Sequence, residues 1–250
     1  MVQQLQEELM QNPFLKALKK LDRPPSAGNW VRHVLETPEH SGRAMVSWAL
    51  GIPPFTYQTG QTAIKDRIEL GIDRPTAHNV CLRKGAPAGR DANLSFVDAF
   101  FDYDELRRFS AANAIGFDRG QFRVARDITV PVTPLSIIRE KGRFVPIFVC
   151  GWTTLPLNRF QRRLLVTLYD DAFLSLTDFS DSPAEMLFFP YTTIEGRKVR
   201  QPEVWRRGDY QLLSTTELDE AVENFLLGRE IARRIIGQRA ALWSRFRSQM

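Results

Sequence analysis

The residues in this sequence best suited to chemistry are arginines, and the chemistry they suit is the recognition of phosphate or carboxylate. Arg159, Arg162 and Arg163 fall in the first turns of a stretch with helical spacing. A helix start already carries about half a positive charge from its backbone dipoles, so cations are disfavoured there unless an anion offsets them. Guanidinium groups beside such a start would fork onto a phosphate. The plainer alternative pairs them with nearby acids such as Asp170 or Asp171, or leaves them solvated. A second set, Arg229, Arg233, Arg234, Arg239, Arg245 and Arg247, is opposed by Glu230 alone. Cations suit a helix C-terminus, which accounts for part of this density. A run without lysine also suits phosphate or an acidic surface. The interleaved Trp243 and Phe246 would stack on bases or pack in a core. The candidate nucleic-acid-binding residues are therefore Arg159, Arg162, Arg163, Arg233, Arg234 and Arg239.

Other chemistries find little to work with. His78 and Cys81 have the spacing of half a zinc site, but only His33, His40 and Cys150 remain to complete it, so no metal is expected. The basic stretch from Lys84-Gly85 to Gly89-Arg90 lacks the Walker pattern. There is no Gly-x-Ser-x-Gly elbow and no nucleophile with a nearby histidine. No cofactor is expected, and the catalytic residues of an enzyme do not stand out.

The elements that would position these arginines follow from spacing. Leu5 and Leu9 share a helical face that Pro13 interrupts. Phe14, Leu15, Leu18 and Leu21 resume it. The stretch from Asp22 to Gly28 has the composition of a linker. Short helices are expected at Trp30 to Leu35 and at Ala44 to Leu50, the latter ended by Gly51-Ile52-Pro53-Pro54. Ser95-Phe96-Val97-Asp98 has the form of a capping box, with Phe96, Phe100, Tyr103 and Leu106 at helical spacing and Gly116 as the stop. Phe122 to Val132 reads as a strand. Leu135–Arg139 and Phe144–Cys150 read as two more, joined by a turn at Glu140-Lys141-Gly142. The last is apolar almost throughout, as a central strand is. Phe160, Leu164, Leu168 and Ala172 mark a helix, widened by Leu157, Leu165 and Phe173 and capped by Asn158 with Gln161. Glu185 to Phe189 is a short buried strand. Ser214-Thr215-Thr216-Glu217 is a capping box that opens a long C-terminal helix, with Val222, Phe225, Leu226, Ile231, Ile235, Leu242 and Phe246 on its apolar face.

The order helix, strand, strand, strand, helix, strand between Ser95 and Pro190 resembles the core of the PD-(D/E)XK phosphodiesterases. In that family Pro-Asp begins the second core strand and an acidic-x-Lys triplet lies on the third. Thr133-Pro134-Leu135-Ser136-Ile137-Ile138 is similar to the first of these, and Val145-Pro146-Ile147-Phe148-Val149-Cys150 to the second. The resemblance covers under half of the chain and departs from the pattern at the catalytic positions. Leu135 or Ser136 stands where the metal-binding aspartate belongs, Phe148 at the acidic position and Cys150 at the lysine. The family's reaction needs clustered oxygen anions to hold Mg²⁺, which phenylalanine and leucine cannot provide. Glu140-Lys141 lies in the turn and reads as surface. The family sometimes relocates its catalytic groups. Here the candidates are Asp127, Asp102, Asp104 and Glu105, with Arg159 to Arg163, or else these are ordinary salt bridges and solvated faces.

The resemblance implies a mixed central sheet flanked by helices, a restriction-endonuclease-like α/β (α+β) core, over residues 93–250, after a mostly helical and irregular region over residues 1–92. It implies a catalytically inactive nuclease-like subunit that binds nucleic acid or a protein partner within a larger assembly of the defence or mobile-element type. The alternatives are an active metal-dependent nuclease with a migrated site, and a structural protein with a basic face. The totals agree with a folded, basic chain: 250 residues, 43% hydrophobic and 25% charged, with formal net charge +5 and an isoelectric point near 9.4. That balance favours a polyanionic partner. Two cysteines make no disulfide framework and suit a reducing compartment. Met1 to Glu8 lacks the basic start and apolar stretch of a secretory signal, and no apolar run nears the ~20 residues that span a bilayer. A cytoplasmic location without a membrane partner is expected.

Overall fold

A computed structural model describes residues 12–110, 114–115, 117 and 120–247. The expected pairing of Leu5 with Leu9 and the stop at Gly116 lie outside the described residues. Nine strands form a five-stranded sheet and two separate hairpins among the described residues. The sheet holds β1 (Ala114–Ile115), β4 (Ser136–Glu140), β5 (Arg143–Cys150), β6 (Glu185–Phe188) and β9 (Glu203–Arg206), in the order β1-β4-β5-β6-β9. Neighbours run antiparallel except β5 and β6, which are parallel. A parallel pair needs a crossover, and the helix α7 (Arg159–Tyr169), extended by a wider turn at Asp170–Leu174, supplies it. The fold is therefore mixed α/β, with β5 at the centre of the sheet as its sequence implies.

Alternation along β5 divides the interior in two. Val145 and Ile147 point to one face with Ile138, Leu187 and Phe189. Phe148 points to the other with Ile137, Met186, Phe188 and Trp205. The first face is covered by α4 (Gln58–Leu70), α5 (Arg74–Lys84) and α6 (Arg90–Arg107). The second is covered by α7, whose Leu164, Leu165 and Leu168 are buried, and by the hairpin of β2 (Gly120–Ala125) and β3 (Ile128–Val132). Behind these lie α1 (Pro13–Leu21), α2 (Ala27–Val31), α3 (Pro38–Leu50) and the long α8 (Thr215–Arg247). Trp30 joins the two groups, its ring 6.1 Å from Phe122 and 5.0 Å from Phe225. Among the described residues no helix is long and apolar enough to cross a membrane.

Several expected elements change. Pro13 opens α1 instead of interrupting it, because Asn12 caps the Phe14 amide and proline at N1 has no amide to waste. The α2 helix covers Ala27–Val31, and α3 begins at Pro38 behind the Thr37 cap, six residues before Ala44. Ser95 is not a cap: α6 begins at Arg90 after a short turn at Pro87–Gly89, and the Ser95 hydroxyl meets the Tyr191 hydroxyl at 3.2 Å. The stretch from Phe122 to Val132 is two strands, folded back at Arg126 and Asp127. The polar stretch around Glu195 is the hairpin of β7 (Tyr191–Ile194) and β8 (Arg197–Arg200). The turn at Lys141 and Gly142 is as expected, with φ of 48° and 82°, the left-handed pair that a two-residue hairpin loop requires.

The α3 and α8 helices cross on small residues. A Cβ at Gly228 would stand 2.8 Å from Ser41 Cβ and 3.0 Å from the Gly42 amide nitrogen, whereas one at Gly237, further along the same helix, would meet nothing within 4 Å. Gly237→Ala should therefore gain about 0.5–1 kcal/mol from helix propensity alone. Gly228→Val should lose about 1–3 kcal/mol, since the backbones cannot part without opening the core. Thermal unfolding of the two variants should move in opposite directions. Equal shifts would mean that the crossing is loose.

Candidate anion-binding cleft

The positions that the resemblance assigns to a nuclease site are taken up by packing. Ser136 is 4% exposed and its hydroxyl has no hydrogen-bond partner among the described residues. Phe148 is buried and stacks on Tyr169, with ring centroids 4.0 Å apart. Burial pushes the Cys150 thiol up to about 12, so it is a neutral packing group at physiological pH. The relocated candidates do not converge. Asp127 is exposed in the β2–β3 turn. Asp102 and Glu105 both bind Arg74, at 2.7 and 2.9 Å. Asp104 is buried elsewhere on α6, where it accepts from Arg67 Nε at 2.6 Å and from the Phe109 amide at 2.8 Å. Among the described residues no group of three or more His, Cys, Asp or Glu could hold a metal ion. His78 faces Asp98 at 2.7 Å and Cys81 is buried, so the half zinc site is taken up by packing and pairing.

The arginines at the start of α7 find anions within the chain itself. Arg162 reaches Glu203 at 3.1 Å, the Tyr210 hydroxyl at 3.0 Å and the Leu157 carbonyl at 3.1 Å. Arg163 forks onto Glu217 at 2.7 and 2.9 Å and also donates to the Gln211 and Leu212 carbonyls. These bonds, Arg163 foremost, hold the Glu217 carboxyl down to about 2. The pairing with acids of the chain is the plainer alternative given above, but not with the nearby Asp170, which takes Arg207 at 2.8 Å. Gln161 caps the helix with Asn158 as expected. Arg159 is exposed. On α8, Arg233 binds Asp22, while Arg234 and Arg239 are exposed. Arg163 docks at the first turn of α8, and Arg233 lies roughly 24 Å further along that helix at its usual rise. The six arginines therefore do not form one site.

A different cluster forms where the sheet ends. A cleft of about 290 Å³ is lined by Arg107, Glu140, Lys141, Arg143, Glu185 and Arg206, together with Val145, Pro183 and Ala184. Strand register brings most of these together. Glu140 pairs with Arg143 across the β4–β5 turn, and Glu185 with Arg206 across β6 and β9. Arg107 is the last residue of α6, and the left-handed Arg108 (φ 59°) ends the helix there. The Arg107 guanidinium donates Nη1 and Nη2 to the two Glu140 oxygens at 2.8 and 2.7 Å, and Nε to Glu185 at 2.8 Å. Glu185 accepts a second bond from the Tyr103 hydroxyl at 3.1 Å. The guanidinium lies over the Phe109 ring at 4.8 Å. Hydrogen bonding to Glu140, then Glu185, holds Arg107 above the ordinary arginine range, and burial, then Glu185, raises the Tyr103 phenol.

Both carboxylates are thus already satisfied by a cation, and a divalent ion would have to displace Arg107 to reach them. The remaining charges are free to act outward. Lys141, Arg143 and Arg206 are exposed and form no ion pair with a described residue. Four cations face two carboxylates, so the cleft is electropositive and suits an anion. Sequence reading treated Glu140-Lys141 as plain surface and did not single out Arg107 or Arg206. The available signal was Glu185, an acid at the head of the otherwise apolar run Glu185-Met186-Leu187-Phe188-Phe189. No protein-family model, curated protein or solved structure matches this chain.

Proposed function

We propose that the chain is a catalytically silent, nuclease-like subunit that binds a polyanion, nucleic acid foremost, within a larger assembly. The observation that carries this reading is the set of three exposed cations around the cleft at the end of the sheet, which have no ion pair among the described residues. The element order supports its nuclease-like part. A helix (α6) precedes three strands that pair antiparallel (β1, β4, β5), and a crossover helix (α7) leads to a parallel fourth (β6), with the β2–β3 hairpin inserted after the first. The silence follows from Ser136, Phe148 and Cys150, which are packed where metal-binding oxygens would be needed. The exposed Arg234 and Arg239 extend the basic character to α8.

Two measurements test the reading. With Mg²⁺ or Mn²⁺, single- and double-stranded DNA and RNA should remain intact. Cleavage that disappears in Asp127→Ala would instead support a migrated active site. Binding followed by fluorescence anisotropy should weaken steeply with salt, because each neutralised phosphate contributes about 0.7–0.9 to the logarithmic slope. The double variant Lys141→Ala, Arg143→Ala should bind more weakly and with a slope shallower by about 1–2. Affinity for nucleic acid that is absent or indifferent to salt would leave the basic face to an acidic protein.

A further inference from the structure

We infer that the cleft seats the terminal phosphomonoester of a nucleic-acid strand, an inference that rests on the polyanion reading above. The charges match a strand end better than a strand interior. Lys141, Arg143 and Arg206 surround one small space with no ion pair among the described residues. A phosphomonoester carries about −1.5 to −2 at neutral pH, whereas an internal phosphodiester carries a single charge. Arg107 commits three N–H groups to Glu140 and Glu185, leaving about two of its five for a ligand. Its carboxylate partners do not repel an incoming anion as free acids would. Both Glu140 oxygens and one Glu185 oxygen are bound by the guanidinium, and the other Glu185 oxygen by Tyr103.

Size and support point the same way. A volume of about 290 Å³ lies at the lower edge of pockets that take small organic ligands, a space that fits a phosphate and its sugar. The cations sit on strands and a tight turn, which hold a site more precisely than a long loop does. Lys141 is fixed by its left-handed turn and Arg143 opens β5, next to β6 at the sheet's centre. The cleft lies at the turn end of the β4–β5 hairpin. Glu185 lies beside Ile147, the partner of Ser136, but Ser136, Phe148 and Cys150 line no part of the cleft, and both of its carboxylates are held by Arg107, so it is not an open metal centre.

The test uses the full chain and short single-stranded oligonucleotides of one sequence ending in 5′-hydroxyl, 5′-phosphate or 3′-phosphate. One phosphorylated form should bind about tenfold tighter than the hydroxyl form, the effect of one charge-assisted hydrogen bond. In Arg143→Ala, Arg206→Ala all three ends should bind more weakly, as polyanion binding through these cations requires, and the ratio of phosphorylated to hydroxyl-ended affinity should fall from about ten to about one. Circular dichroism and the melting temperature should stay near native, since both side chains are exposed; if they do not, Arg143→Gln and Arg206→Gln singly carry the comparison. Equal binding of all three ends, or a preference that survives the substitutions, overturns the inference and leaves the polyanion reading standing. If no oligonucleotide binds, the polyanion reading fails. Pyrophosphate titrated calorimetrically then decides the cleft: heat that the variants abolish keeps a phosphate site, and no heat removes it.

Discussion

Arg107→Ala should destabilise the protein by about 3–5 kcal/mol, the usual loss when one partner of a buried ion pair is removed and the other stays behind. The Glu185 side chain is only 10% exposed and would keep Tyr103 as its one remaining donor. Glu140 would lose both of its bonds to the guanidinium. For a chain of this size the melting temperature should fall by roughly 6–20 °C. Two further variants identify the cause. Arg107→Lys keeps the charge but not the three-point fork, and should lie between native and alanine. Adding Glu185→Gln to Arg107→Ala removes the stranded charge and should recover part of the loss. An Arg107→Ala protein within about 1 kcal/mol of native would show that water screens the bridge as it does an ordinary surface pair, and that the cleft's floor is not built on it.

What the sequence disclosed follows the physics of each element. The β4–turn–β5 unit was legible because its turn residues and apolar run are both local signals, and α7 and α8 because large apolar side chains recur at helical spacing behind a cap. The α4 and α5 helices were not. Beside Ile64 and Ile68, their buried faces use Gly60, Ala63, Ala77 and Cys81, small residues that leave a faint periodicity. The β2–β3 hairpin turns on Arg126 and Asp127 without glycine or asparagine, so it read as one strand. Ser95 imitated a cap because its spacing to Asp98 is right, yet the helix had already begun at Arg90.

The site was less legible than the fold. The argument that cations at the start of α7 need an anion was physically sound, but the anions are Glu203 and Glu217, 41 and 54 residues away in sequence. Nothing local to Arg162 or Arg163 discloses them. The cleft draws Arg107 from a helix end, Glu140 and Lys141 from a strand end and its turn, and Glu185 and Arg206 from two further strands. Only strand register brings them together. The nuclease resemblance worked in the opposite direction. It directed attention to Ser136, Phe148 and Cys150, of which the first two are buried and the third is half-buried.

A change of pH should act chiefly through His33. Its ring lies 5.4 Å from that of Trp48, and Lys20 Nζ lies 4.8 Å from the same Trp48 ring while donating to the Trp48 and Gly51 carbonyls at 2.8 and 3.2 Å. No described carboxylate pairs with His33. Burial, then the charges of Arg32 and Lys20, lower its pKa from 6.5 to about 4. The unfolded chain therefore binds a proton near pH 6.5 that the folded chain refuses until about pH 4. Stability is fully present above pH 6.5, falls as the pH drops below it, and levels off once the folded form also protonates. The whole step corresponds to about 3 kcal/mol. Carboxylates titrate at its lower end, so the diagnostic interval is about pH 7 to 5, where about 2 kcal/mol should be lost. Urea unfolding of the native protein and of His33→Gln across that interval isolates the effect, because every other group cancels in the difference. The variant's curve should be flatter by about 2 kcal/mol over the interval. Parallel curves would mean that His33 takes up its proton in the folded state as readily as in the unfolded one, and that the α1–α3 contact around Trp48 is open to water.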